Sequence, residues 1–181
     1  SGLSLEDAEL SFLRHATSKI SSSSDLEKIV SLGFRGEALP SIASVSKVRM
    51  TTSADEHLGG VIISIEGGGS AKTKETSCPH GTTIEVSQLF YNTPARKKFL
   101  KSPRMEFRKV VEMVRRFALA YPDRAFKLIS DGRDILNLQS EDLESRIVHV
   151  MDPAYRDQLL PINFTKSDYS LTGFLGNLNL V

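Results

Sequence analysis

The chain has one cysteine, Cys78, so it can form no internal disulfide, and a free thiol in a reducing compartment is expected. It has no excess of either charge. Its 23 basic and 22 acidic residues leave a formal +1, so any basic site must come from local clustering rather than an overall field. No apolar run approaches the roughly 18 to 20 residues that a membrane-spanning helix requires, and no charged-then-apolar leader follows Ser1. There is no Gly-x-Ser-x-Gly elbow and no Walker-type Gly-Lys-Ser/Thr, which disfavours serine-based hydrolysis and P-loop chemistry. The four histidines, His15, His57, His80 and His149, are too scattered for a ligand spacing, and one cysteine cannot build a structural zinc site. The first residue is not methionine, and the chain is expected to be a piece of something longer.

What remains has the balance of a soluble globular protein, with 40% hydrophobic and 25% charged residues. The length, 181 residues, suits one domain or a domain plus the start of a second. Leu5, Ala8, Phe12 and Ala16 recur at helical spacing behind Ser4, which predicts an N-capped helix over 5–16. Ser21 to Ser24 reads as a mobile loop, and Asp25 to Leu32 as a short helix closed by Gly33. Pro40 belongs in a first turn, which puts the next helix start near Gly36.

Lys47–Ser53 and Val61–Glu66 read as a hairpin, with a further edge strand over 71–76 and another strand over 82–86, where Ile84 and Val86 share a face. The longest helical pattern runs over 102–121. Asp131-Gly132 signals a hairpin between 125–130 and 133–138, a helix covers 142–151, and two strands follow at 159–164 and 169–174. The sheet is expected to be mainly antiparallel. A composition change at Met151-Asp152-Pro153 places a domain boundary there, giving domains 1–151 and 152–181.

Two stretches could carry chemistry. Gly33-Phe34-Arg35-Gly36 sets an arginine between two glycines just before a helix. A guanidinium on so small-sided a loop suits bidentate contact with phosphate, although Gly-x-x-Gly is also an ordinary C-cap and turn. Thr17, Ser18 and Lys19 could converge on the same anion, or form a plain solvated loop. Glu37 reads as a first-turn helix residue, and His15 as a helix-end residue without catalytic role. Separately, Arg96, Lys97, Lys98, Lys101 and Arg104 put five cations within nine positions around Phe99. They could line a nucleic-acid backbone, or form a solvated segment balanced by Glu106 and Glu112.

Four stretches together resemble the DNA mismatch-repair MutL family, within the GHKL group of ATPases that includes gyrase, Hsp90 and histidine kinases. They are Arg14 to Ile20, Leu32 to Leu39, Gly81-Thr82-Thr83, and Leu89 to Leu100, in the family's order and spacing. The resemblance implies an α/β sandwich with a mixed, mostly antiparallel sheet backed by helices, leading into a domain similar to domain 2 of ribosomal protein S5. It implies an ATP site. Gly2 would be the final glycine of an adenine motif, Thr17, Ser18, Lys19, Gly33, Phe34, Arg35, Gly36 and Leu39 would form the lid around the phosphates, and Thr82 would lie near the adenine end.

The resemblance further implies ATP-driven pairing of two N-terminal regions, as a homodimer or with a paralogue, and contact with DNA, mismatch-recognition proteins and downstream repair proteins. The place would be a bacterial cytoplasm or a eukaryotic nucleus. The family's general-base glutamate, magnesium-binding asparagine and adenine-reading aspartate fall before Gly2, and its second-domain lysine falls after Val181. An ATPase whole is thus implied, with magnesium held outside this piece, and a piece that alone neither hydrolyses ATP nor binds it tightly. The competing reading is a non-catalytic DNA-binding or dimerisation module with a vestigial nucleotide site.

Overall fold

A computed structural model describes residues 2–17, 33, 35–55, 59–178 and 180. The expected serine loop at 21–24 and the helix over 25–32 lie outside these residues. The chain divides into two compact units, Ser1–Leu100 and Lys101–Val181. The sequence-based boundary at 151/152 falls inside the second unit.

The first unit is a four-stranded antiparallel sheet of order β3-β2-β1-β4. Its strands are β1 (Lys47–Ser53), β2 (Gly60–Glu66), β3 (Lys72–Thr76) and β4 (Gly81–Ser87). β1 and β2 form the expected hairpin, and β3 is the expected edge. Helix α1 (Leu5–Leu10) packs over β2 and helix α2 (Ala38–Ala43) over β1. Their small residues Ala8 and Ala43 meet Val48, Met50, Val61, Ile63 and Ile65 in one core, with Leu3, Phe12 and Leu39 against it. Small side chains on the helices let the backbone approach the β-branched face closely. Ile84 and Val86 sit opposite Met50 and Val48 on the same face, yet they are half-exposed because β4 is the outer strand beyond both helices.

Helix α1 starts where expected, with Ser4 Oγ accepting from the Asp7 N–H at 3.1 Å. It stops at Leu10 rather than Ala16. The Ser11 hydroxyl donates to the Ala8 carbonyl at 2.7 Å, and the following amides of Phe12 and Leu13 reach back only three residues, to Glu9 and Leu10. His15, at φ +63, then breaks the helical path. Helix α2 starts at Ala38 with Pro40 in its first turn, as its sequence requires.

In the second unit, helix α4 (Pro103–Ala120) follows the short helix α3 (Pro94–Lys97) that ends the first. Strands β5 (Phe126–Ser130) and β6 (Arg133–Leu138) form a hairpin. Its Asp131-Gly132 turn has φ +49 and +74, the left-handed pair a tight hairpin requires. Helix α5 (Leu143–Val150), a 3-10 helix (Pro153–Gln158) packed on it, and the antiparallel pair β7 (Leu159–Lys166) and β8 (Tyr169–Gly176) complete the unit.

Arg146 on α5 is wholly buried, and each of its three guanidinium nitrogens donates. Its Nε donates to Glu141 Oε1 at 2.7 Å, its Nη1 to the Ala118 carbonyl at 2.8 Å, and its Nη2 to the carbonyls of Pro122, Arg124 and Gln139. One side chain therefore ties the end of α4, the turn after it and the end of β6 to α5. Glu141 also takes a 2.6 Å bond from His149. Burial raises the Glu141 pKa, but the Arg146 and His149 hydrogen bonds outweigh it and hold the carboxyl below its ordinary 4.5. A carboxylate depressed on folding contributes stability above its unfolded pKa, and that contribution is lost as pH falls through the lower folded value. Arg146→Met should lower the unfolding free energy of the intact protein by about 3 kcal/mol, because the carboxylate and the carbonyls stay buried without their donor. Urea unfolding checks this, and an unchanged midpoint would refute the central role of Arg146.

Candidate functional site

The structure gathers the sequence-marked residues into two clusters in the first unit and one basic segment. The first cluster joins the chain after α1 to the loop before α2. Gly36 has φ +62, and a Cβ built there would stand 2.2 Å from the Ala16 carbonyl oxygen. Only glycine lets the loop lie directly on that carbonyl. The contact is extended on its outer side by His15 Nδ1 and Glu37 Oε1 at 3.1 Å, both exposed. Glu37, expected in the first turn, is instead the N-cap residue preceding α2, and its side chain turns to His15 and caps no amide. Thr17, half-buried, follows Ala16 directly, so it is brought beside the arginine-bearing loop.

Arg35 and Gly33 are exposed on that loop. Gly33 has φ +86, and a Cβ there would meet nothing within 4 Å, which leaves open space against the main chain. A guanidinium, a hydroxyl and a glycine main chain are group types suited to phosphate oxygens. Leu39 is placed differently. Its side chain packs against the core of the unit, so it supports the loop from below. Ser18, Lys19 and Phe34 lie outside the described residues.

The second cluster joins the N-terminal segment to the facing ends of β1 and β4. Gly2 lies so close to β1 that a Cβ would stand 1.6 Å from the Ser53 carbonyl oxygen. Its N–H donates to His80 Nε2 at 3.4 Å, and the next amide, of Leu3, donates to Thr52 Oγ1 at 2.9 Å. Thr52 is directly opposite Thr82 in the β1–β4 register, with the hydroxyls 2.8 Å apart. Thr82 is exposed and Thr52 is fully buried. Sequence reasoning missed Thr52 and His80. Thr52 looked like any strand threonine, and only its register partner marks it out.

The basic segment follows a docked turn. The Phe90 N–H donates to the Val45 carbonyl at 2.7 Å, Asn92 Nδ2 to the Ser44 carbonyl at 2.9 Å, and the Lys47 ammonium sits 5.7 Å from the Tyr91 ring centroid. Arg96, Lys97 and Lys98 then stand exposed on and after α3, and Phe99 is 83% exposed. Lys101 and Arg104 belong to the second unit. Of the two acids expected to balance the five cations, Glu106 accepts from the Lys101 backbone N–H, feels the Lys101 charge and pairs with Lys109, while Glu112 pairs with Arg116. Those bonds, the Lys101 N–H first and Lys109 next, hold the Glu106 carboxyl below its ordinary value. Among the described residues no ion pair engages the side chains of Arg96, Lys97, Lys98, Lys101 or Arg104. No group of three or more His, Cys, Asp or Glu among the described residues could hold a metal ion. No described helix is long and apolar enough to cross a membrane.

An antiparallel sheet backed by helices, with a glycine-bracketed arginine loop beside a threonine-bearing segment, is the fold of GHKL-type ATPase domains, as solved structures show. Among solved structures, the ATPase domain of Aquifex aeolicus MutL complexed with ADP is 35% identical and aligns with a TM-score of 0.64, over 80% of this chain and 56% of that one. The N-terminal domain of a DNA repair protein, 24% identical, shares the fold with a TM-score of 0.72 over 96% of this chain and 55% of its own.

Among curated relatives, DNA mismatch repair protein MutL of Chlorobium phaeobacteroides is 43% identical over 175 residues, 97% of this chain and 28% of the relative. The MutL of Desulforamulus reducens is 52% identical over 132 residues, 73% of this chain and 21% of the relative. No family model matches the chain. The chain belongs to the DNA mismatch repair MutL family and spans about a quarter of the length of these relatives.

The two glycines of the loop separate backbone strain from steric fit. Gly36→Ala should destabilise the intact protein by more than about 2 kcal/mol, since both a left-handed backbone and a blocked contact oppose the new Cβ. Gly33→Ala meets open space and should cost only about 1 kcal/mol. Thermal unfolding of the two variants checks this, and equal losses would refute the close contact at Ala16.

Proposed function

We propose that this chain carries part of the nucleotide site of a mismatch-repair ATPase, and that ATP bound there drives the pairing of two N-terminal regions. The observation that supports it best is the seating of Gly36 on Ala16, which puts Thr17 and the Arg35 loop side by side. In this reading Arg35 and Thr17 bind the phosphates, and the family resemblance adds Ser18, Lys19 and Phe34 to the same role. Gly2 and Thr82 lie toward the base, and Leu39 steadies the loop through the core. ATP would supply the triphosphate whose binding energy shifts the protein toward its paired state. The residues of this chain bind and orient it. No proton transfer is assigned to any residue here.

Arg96, Lys97 and Lys98, with Lys101 and Arg104 further along the chain, are the DNA-contacting part of the same proposal; among the described residues no ion pair engages their side chains. They would neutralise phosphates, which gives affinity without base specificity. The partners would be DNA, mismatch-recognition proteins, downstream repair proteins and a second copy or a paralogue. The start of a domain similar to domain 2 of ribosomal protein S5 is proposed for residues 152–181.

One preparation of the intact protein tests both parts. Arg35→Glu should weaken ATP binding at least about tenfold by setting a carboxylate against phosphate. Unchanged ATP affinity would refute the site. Lys97→Glu with Lys101→Glu should flatten the salt dependence of DNA affinity while leaving ATP affinity intact, and an unchanged slope would refute the basic segment as a DNA contact. Normal DNA binding by a wild-type protein that binds no ATP would favour the non-catalytic module.

A further inference from the structure

His15 and Glu37 flank one of the two tight backbone contacts of the first unit. His15 precedes Ala16, whose carbonyl lies against Gly36, and Glu37 follows Gly36. The contact thus brings together two side chains that are distant in the chain, with His15 Nδ1 3.1 Å from Glu37 Oε1. A carboxylate only accepts, so Nδ1 carries the proton of that bond. His15 holds φ +63, a backbone that L residues adopt rarely. The Glu37 side chain makes no cap bond to α2, the use its position offers it. The side chains are 79% and 47% exposed, so the pair adds little to stability. What it fixes is the direction of one negative charge. Glu37 lies two residues after Arg35 in the loop read as a phosphate site, and a carboxylate released there would compete with phosphate for the guanidinium and repel a polyanion.

We propose that His15 is a positioning residue that holds the Glu37 carboxylate away from the phosphates of a bound nucleotide. The inference rests on the reading that the Arg35 loop binds phosphate. His15 itself touches no ligand. It acts through Glu37, and the backbone contact at Gly36 makes the pair inexpensive to form, because both side chains already start close together.

The test measures ATP, ADP and adenosine affinities of the intact protein. His15→Ala should weaken ATP binding about threefold, ADP less and adenosine not at all, because the loss follows the ligand's negative charge. Raising the ionic strength should shrink the ATP loss. Adding Glu37→Gln to His15→Ala should restore the wild-type ATP affinity. His15→Asn, which keeps an N–H donor and tolerates the left-handed backbone, should behave like the wild type. Unchanged ATP affinity in His15→Ala would overturn the proposal. So would equal losses for all three ligands, or a loss that Glu37→Gln does not repair, since either marks a merely structural histidine. If Arg35→Glu loses ATP while His15→Ala does not, the phosphate site stands and only the role of His15 falls. A wild type that binds no ATP refutes the site, and this inference with it.

Discussion

The main chain of Gly36 rests on the carbonyl of Ala16, in a space where a Cβ would stand 2.2 Å from the oxygen. The same kind of contact recurs at Gly2, pressed on the carbonyl of Ser53. Side chains such as Leu3 and Leu39 anchor these segments to the core, but they do not set how closely the main chains approach. The absence of a side chain does, because backbone can then meet backbone at a distance no other residue permits. Each contact fixes a polar group nearby: Thr17 and the Arg35 loop at the first, the Leu3 and Gly2 amides facing Thr52 and His80 at the second.

The sheet supplies the rigidity these contacts need. β1 is its inner strand, flanked by β2 and β4, and its buried face carries Val48, Met50 and Thr52 in alternation. The first two pack the core and the third enters a hydrogen-bond network. A strand with its apolar partners locked in register cannot slip by one residue without exposing that whole face, so the position of Thr52 opposite Thr82 is set by hydrophobic packing further along the strand. The energetics of the fold and the geometry of the site meet in that register.

Most of the architecture was legible in the sequence because its signals are local. Ser4 capped its helix, Asp131-Gly132 made its turn, and the alternating runs at Lys47–Ser53 and Val61 onward became paired strands. What was not legible depended on partners distant in the chain. Apolar spacing carried α1 through to Ala16, but Ser11 and the left-handed His15 ended it after Leu10. Leu39 belonged to a loop motif by sequence and to the core by packing. Ile84 and Val86 alternated correctly, yet no described helix reaches far enough to cover them. The acids near the basic segment form their ion pairs with Lys109 and Arg116, because i,i+3 and i,i+4 spacing on α4 brings those close, while Glu106 still faces Lys101. The pairing of His15 with Glu37 and of Thr52 with Thr82 spans separations that no periodicity encodes.

The central claim is that the Arg35 loop and the Thr82 end of β4 belong to one nucleotide site. Amide hydrogen exchange of the intact protein, with and without a non-hydrolysable ATP analogue, tests it most directly. The account predicts that peptides containing Gly33–Gly36 and Gly81–Thr83 both gain protection when the analogue is added, while β5 and β6 do not change. Protection of neither peptide, or of only one of the two, would contradict a shared site.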